Sequence, residues 1–244
     1  MGSWDRAVAD CAVAADYEIY MADIIVLMGS QGAGKGTQAK MLAEKFGLPI
    51  IATGDMLREV ARSDRPLGLQ VREIQASGQL VSDQILAEVV SHRTSQDDCS
   101  HGYILDGFPR TLPQAHLLDS IADEQGDRIV VIEIYVPREL LFKRLTGRQT
   151  CSECGAIYNI HFNPSKEKGI CDLDGQPLFK RSDDNEESIA KRLALYDEKT
   201  LPLLDHYKES GHLHRVDGEG TPKGVFDRIA GLIEKKGQES AAEG

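Results

Sequence analysis

The chain has 244 residues, room for one compact domain with insertions or for two small domains. Hydrophobic residues at 41% and charged residues at 27% allow a buried core and argue against a largely disordered chain. A formal net charge of −11 argues against non-specific nucleic-acid binding, which relies on Lys and Arg, but a local arginine cluster could still face a phosphate ligand.

Residues 1–22 read as an extension outside the fold. They carry Asp5, Asp10, Asp16 and Glu18 where a signal peptide would have a basic start and an apolar core, and Met21 is an alternative start point. No run reaches the roughly 18 apolar residues of a membrane span, so no membrane partner and a cytoplasmic location are expected. Residues 24–28 form an apolar, β-branched run, read as a buried parallel strand. An amphipathic stretch follows at 34–46, and 54–61, 66–77 and 82–93 read as short helices. Strands are expected at 103–105 and 129–135, the latter apolar but for Glu133. Residues 148–180 break this rhythm with Gly155, Gly169, Gly175, Pro164, Pro177 and a cysteine cluster, and read as a small inserted subdomain. Helical rhythm returns over 185–207, a strand is expected at 212–216 and a helix at 222–235. The alternation implies an α/β fold with a parallel sheet; with the glycine-rich loop that follows the first strand, the expectation is a P-loop fold of three layers, the central parallel sheet flanked by helices. The division is an extension (1–22), a core (23–51, 82–147 and 181–236), a flap (52–81), a lid (148–180) and a frayed tail (237–244).

After the first strand comes Gly29-Ser30-Gln31-Gly32-Ala33-Gly34-Lys35-Gly36-Thr37, which fits G-x-x-x-x-G-K with Gly36 where Ser or Thr is usual. Glycines let backbone N–H groups converge on phosphate oxygens, and the next helix offers its positive end. Lys35 supplies a mobile charge for the β- and γ-phosphates. This loop by itself says only nucleotide binding, and an incidental Gly-rich turn is the bland alternative.

Three of the five cysteines fall together, as Cys151-x-x-Cys154, a gap of sixteen residues, then Cys171-x-x-Asp174. An odd, clustered count suits a zinc site in a reducing compartment better than disulfides. Two such knuckles can bring four ligands into a tetrahedron, with Asp174 the less secure fourth. Three free thiols in a loop are the alternative.

Further motifs carry a resemblance. Gly-Lys-Gly-Thr-Gln-Ala in the loop is followed by Thr53-Gly54-Asp55-Met56-Leu57-Arg58, by 78–81, and by Asp106-Gly107-Phe108-Pro109-Arg110-Thr111 with Pro113-Gln114. Then come Arg144 and Arg148 in Arg-Leu-Thr-Gly-Arg, and Arg181-Ser-Asp-Asp-Asn-Glu-Glu leading to Lys191-Arg192. In this order, over residues 23–236, the sequence resembles the adenylate kinases among the nucleoside monophosphate kinases, in the long-lid form with a zinc-binding lid. Gln31 departs from the Pro that many members carry.

The resemblance implies ATP and AMP as substrates, a hydrated Mg²⁺ beside Asp106 with Asp55 assisting, a structural Zn²⁺ in the lid, and a monomer. It implies that ATP meets Gly32, Ala33, Gly34, Lys35, Gly36, Thr37, Arg144 and Arg148. It implies that AMP meets Thr53, Arg58, Val81, Gly107, Arg110, Gln114, Arg181 and Arg192. Lys35, Arg110, Arg144, Arg148, Arg181 and Arg192 would be catalytic. Arginine suits such a role because its planar fork binds phosphate oxygens bidentately and stays charged. Any one of these arginines could equally be a surface residue, and Asp55 a helix N-terminal residue favoured by the dipole. The Gln114 amide matches the N1 and N6 edge of adenine. Relatives acting on UMP or CMP tend to have Ala at the Thr53 position, Asn near Gln114 and a short lid. No general base is needed for an ionised phosphate acceptor, so His92, His206 and His214 are read as surface or structural. Two other classes compete. A P-loop hydrolase or GTPase would need a water-orienting Gln and, for guanine, an Asn-Lys-x-Asp that the sequence lacks. A zinc-ribbon docking module would need a basic surface, whereas the cluster mixes Glu153, Glu167, Asp172 and Asp174 with Lys166, Lys168 and Lys180.

Overall fold

Strand β1 (Asp23–Met28) is the centre of the computed structural model, which describes residues 23–62, 66–77 and 81–243. Its six residues are all buried, because helices cover both sheet faces. Successive side chains alternate between two cores: Ile24, Val26 and Met28 face one, Ile25 and Leu27 the other. β2 (Ile50–Ala52), β3 (Gly102–Asp106), β4 (Arg128–Tyr135) and β8 (Leu213–Asp217) complete a five-stranded sheet, parallel throughout, in the order β2-β3-β1-β4-β8. One core takes Leu86 and Val90 from α4 (Asp83–Thr94), Leu118 from α5 (Leu112–Gln125), and Leu203 and Tyr207 from α8 (Pro202–Glu209). The other takes Leu42 from α1 (Lys35–Phe46), Leu145 from α6 (Arg138–Thr146), Ile189 from α7 (Glu186–Leu195) and Ile229 from α9 (Pro222–Glu243). Each fully buried Leu or Ile contributes on the order of 1.5–3 kcal/mol of transfer free energy. Buried Glu133 is paired across β4 and β8 with Arg215, Nε to Oε2 at 2.9 Å, which accounts for the polar residue in an apolar run.

Chain order thus makes an α/β fold whose strands point their C-terminal ends at one edge, where ligands of such sheets bind. Helices α2 (Thr53–Ala61) and α3 (Pro66–Ser77) follow β2 directly. Residues 148–180 project as a second sheet, antiparallel and three-stranded: β6 (Ile157–Asn159), β5 (Arg148–Cys151) and β7 (Leu178–Phe179), in that order. Its core is only Cys151, Tyr158 and Cys171, with Ala156 and Leu178 against them, while Ile160, Phe162 and Leu173 are exposed.

Three details differ from the sequence reading. β2 was not expected; it is three residues long and runs straight into α2. The helical stretch at 185–207 is broken by a π turn, Tyr196–Thr200, where the Leu201 N–H reaches back five residues to the Tyr196 carbonyl ahead of Pro202. Helix α9 continues to Glu243, through the residues expected to fray. The extension 1–22, including Met21, and residues 78–80 of the third motif lie outside the described residues. Among the described residues no helix is long and apolar enough to cross a membrane.

Candidate active site

The loop after β1 turns at Gly29, whose φ of 138° is open to glycine and where a Cβ would come within 2.6 Å of the Ile134 carbonyl oxygen. Gly32, Ala33 and Gly34 carry it to the first turn of α1, with Gly36 and half-buried Thr37 just inside. Lys35 folds back over this loop, its Nζ donating to the carbonyls of Gly29 at 2.7 Å and Ser30 at 3.2 Å. Burial lowers the Lys35 pKa to about 8; the carboxylate of Asp106 counters this, and the positive charges of Arg110 and Arg148 add to it. Lys35, Asp106, Arg110 and Arg148 therefore share one electrostatic neighbourhood although the sequence separates them widely. A Cβ at Gly36 would sit 3.2 Å from Asp106 Oδ2, so glycine here leaves clear space beside the carboxylate at the end of β3.

On the other side of Asp106, Thr53 is buried and its Oγ1 donates to the Gly107 carbonyl at 3.0 Å. Gly107 has φ 85°, and a Cβ there would lie 2.8 Å from Arg110 Nη2 and 3.1 Å from Thr53 Oγ1. Arg110 Nε donates to the Gly107 carbonyl at 2.7 Å, and the Arg110 backbone N–H donates to Gln114 Oε1 at 2.8 Å. Gln114 is buried, and its Nε2 donates to Asp83 Oδ1 at 2.5 Å, which also accepts from Thr111 Oγ1 at 3.1 Å. Since a carboxylate only accepts, Asp83 fixes which end of the Gln114 amide is nitrogen. One amide hydrogen and one oxygen lone pair remain for a ligand. Val81 is buried in the same core as Phe108. The backbone at Asp55 and Arg58 belongs to α2, but their side chains lie outside those described.

The remaining arginines come from three segments. Arg144, on α6, reaches the carbonyls of Ala33 at 3.3 Å and Gly218 at 3.0 Å, and burial lowers its pKa. Arg148 opens β5 and grips Asp184 through Nε–Oδ2 at 2.7 Å and Nη2–Oδ1 at 2.6 Å. Arg192, on α7, holds Asp183 Oδ2 at 2.7 Å and Asp184 Oδ1 at 3.1 Å. Arg181 Nε donates to Thr150 Oγ1 at 3.2 Å on β5. Asp184 has no exposed side-chain surface. Burial pushes its carboxyl up, but hydrogen bonds and charge from Arg148, then Arg192, outweigh this and hold it below the ordinary value. Asp83, Asp183 and Asp184 are the residues the sequence reading missed. Asp183 and Asp184 stood inside the Arg181 motif, and an acidic partner for so many converging cations was the available signal.

In the lid, Cys151 Sγ lies 3.3 Å from Asp174 Oδ2 and Cys154 Sγ lies 3.6 Å from Cys171 Sγ. The four ligand atoms all lie within 4.8 Å of one another. Bonds of about 2.3 Å to sulfur and 2.1 Å to oxygen give tetrahedral edges of roughly 3.6–3.8 Å. Both knuckles close on left-handed glycines, Gly155 at φ 67° and Gly175 at φ 71°. Hydrogen bonds from Cys154 first, then the Gln176 N–H, hold the Asp174 carboxyl far below its ordinary range.

Comparison with known proteins agrees with this arrangement. The family pattern described as Adenylate kinase matches residues 27–212. The adenylate kinase of Thermodesulfovibrio yellowstonii is 46% identical over 213 residues, covering 87% of this chain and 99% of that protein. That of Bacillus subtilis is 46% identical over 210 residues, covering 86% and 97%. That of Archaeoglobus fulgidus is 44% identical over 212 residues, covering 86% and 98%. With the loop and Asp106 at the C-terminal ends of neighbouring parallel strands, and with likeness along nearly its whole described length, the chain belongs to the adenylate kinase family.

Proposed function

We propose that this chain moves the terminal phosphoryl group of Mg²⁺-bound ATP to AMP, reversibly, giving two ADP and so balancing the adenine nucleotides. The observation that carries this reading is the glycine-rich loop with Lys35 folded over it, set beside Asp106 at the end of β3, with Arg110 held on the adjoining Gly107 carbonyl. Between two nucleotides the transferred group spreads its charge over equatorial oxygens, so catalysis is positioning plus electrostatic stabilisation. Lys35 and the loop N–H groups would hold the donor phosphates, with Arg144 beside them. Arg110 would bridge acceptor phosphate and transferred group, and Arg148, Arg181 and Arg192 would close on the charge from the lid side. Arg58 would take the acceptor phosphate and Thr53, Val81, Gly107 and Gln114 the adenine.

The space beside Asp106 that Gly36 leaves free fits a cation that keeps its waters and needs one or two carboxylates, with Asp55 the second. When bound, Mg²⁺ would neutralise phosphate charge and fix the geometry of the donor. The donor set and spacing of Cys151, Cys154, Cys171 and Asp174 fit a structural Zn²⁺, with all four positions taken by protein and no place for a reacting water. Such thiolate ligation suits a reducing, cytoplasmic setting, and the chain would act as a monomer without nucleic-acid or membrane partners.

The test is ADP formation from ATP with and without AMP, CMP, UMP or GMP. ADP production that requires AMP is expected. Equal production from ATP alone would mean hydrolysis and would overturn the reading, as would preference for a pyrimidine acceptor.

A further inference from the structure

A second cluster of ligating side chains stands away from the lid, on the helices that back the acceptor loop. His116 and Asp119 are three residues apart on α5, on one helical face. His206 meets them from α8, its Nε2 2.9 Å from Asp119 Oδ2, while His116 Nδ1 is 4.0 Å from the same oxygen. The two imidazole rings cross edge to face with centroids 5.1 Å apart. One ligand atom from each residue falls within 4.8 Å of the others. Asp119 and His206 are half-buried, with side-chain exposures of 31% and 23%, over the buried Leu118 and Tyr207. His116 is 67% exposed and has the freedom to swing inward.

We propose that His116, Asp119 and His206 form a binding site for a divalent transition metal of the zinc class, clamping α5 to α8. Two imidazoles and one carboxylate are a donor set such ions favour, and three protein ligands leave a fourth position to water. Hard cations such as Mg²⁺, which ask for oxygen ligands, would be refused. The clamp sits behind the acceptor loop. The Arg110 backbone N–H is tied to Gln114 on α5, and the Arg110 carbonyl accepts from Thr200 Oγ1 at 3.0 Å, just before α8. Metal binding would thereby stiffen the support of Arg110 without touching a substrate. An ordinary His206–Asp119 hydrogen bond with no metal affinity is the competing reading.

The full-length protein is titrated with zinc under native mass spectrometry and calorimetry. Wild type should take one zinc beyond any held by the lid, with micromolar affinity, and magnesium should not compete. H116A and H206Q should each weaken that zinc at least tenfold while C171A leaves it in place. Gln at 206 still offers Asp119 a donor, so the fold is not at stake. Substoichiometric Cu²⁺ should broaden the ring resonances of His116 and His206 before those of the other histidines. The site is independent of the lid: if the lid held no metal, this zinc would still be lost in H206Q. Zinc uptake unchanged in both histidine variants, or broadening led by another histidine, would overturn the proposal.

Discussion

Lys35 has two sets of partners to choose from, its own loop carbonyls and the phosphates of a donor nucleotide. Its depressed pKa of about 8 makes the choice pH-dependent. Phosphate near the ammonium raises that pKa, so ATP binding above about pH 8 must take up a proton. Affinity should be flat below about pH 8, fall as pH rises toward the bound-state pKa, and level off beyond it. Calorimetry in buffers of different ionisation heat reads the uptake directly, and K35A should abolish it. The same variant should lose on the order of 3 kcal/mol of transition-state stabilisation, roughly a hundredfold in kcat, with little change in melting temperature. Gln114 presents a second residue-scale case. Its identity was legible in the sequence, but its orientation was not, because Asp83 looked like any acidic residue in the first turn of a helix. D83N would remove the charge-assisted bond at Nε2 and loosen the Gln114 amide, leaving only the Arg110 N–H to orient it. KM for AMP should rise several-fold while KM for ATP stays put, and steady-state kinetics with each substrate varied in turn would expose the opposite pattern.

At the scale of elements, the apolar strand runs were readable, even the three residues 103–105 within β3, while several other short elements were not. β1 and β4 show as continuous apolar runs because both faces are covered, and the structure puts them beside each other at the centre of the sheet. β2 has three residues and no period to detect, and the π turn at 196–200 is a hydrogen-bonding detail that leaves no composition signal. The lid was legible as a break in rhythm, yet its strands are too short to announce themselves. Strand β5 gives that small sheet its consequence. Arg148 stands at one end and Cys151 at the other, four residues in all, with Thr150 between them accepting from Arg181. With only three buried side chains at its centre, the lid has little apolar area to stabilise it, so metal ligation would have to supply its rigidity. Removing zinc with a chelator, or by C171A, should lower the melting temperature by several degrees and free the remaining lid thiols for titration. D174C should keep the lid zinc. Low-temperature turnover should survive C171A better than stability does. A protein whose three lid thiols titrate freely before any chelator is added would remove the basis for this expectation.

Across the whole molecule, two of the arginines that a polyphosphate would recruit, Arg148 and Arg192, are already neutralised by carboxylates. Arg148 and Arg192 share Asp184, and Asp183 takes a further hydrogen bond from Arg192. In a chain of net charge −11 this arrangement keeps a strongly basic cluster satisfied and oriented. On the proposed reading, nucleotide phosphates would compete for these guanidiniums and draw β5 and the lid toward the loop after β1. The segment carrying Thr53 and α2 meets Gly107, next to Asp106, and on the proposed reading it and the lid would be two flaps closing on one fixed sheet. Closure would exclude water, which suppresses ATP hydrolysis and strengthens every charged contact inside. Two adenosines joined by five phosphates would occupy both nucleotide sites at once. Hydrogen exchange with that compound bound should slow in residues 52–81 and in 148–180 together, and leave the amides of β1 and β4 as they were. ATP alone should protect 29–37 and the lid but not 52–81. Protection confined to residues 29–37 with the joined compound would mean that the two flaps do not close on the sheet.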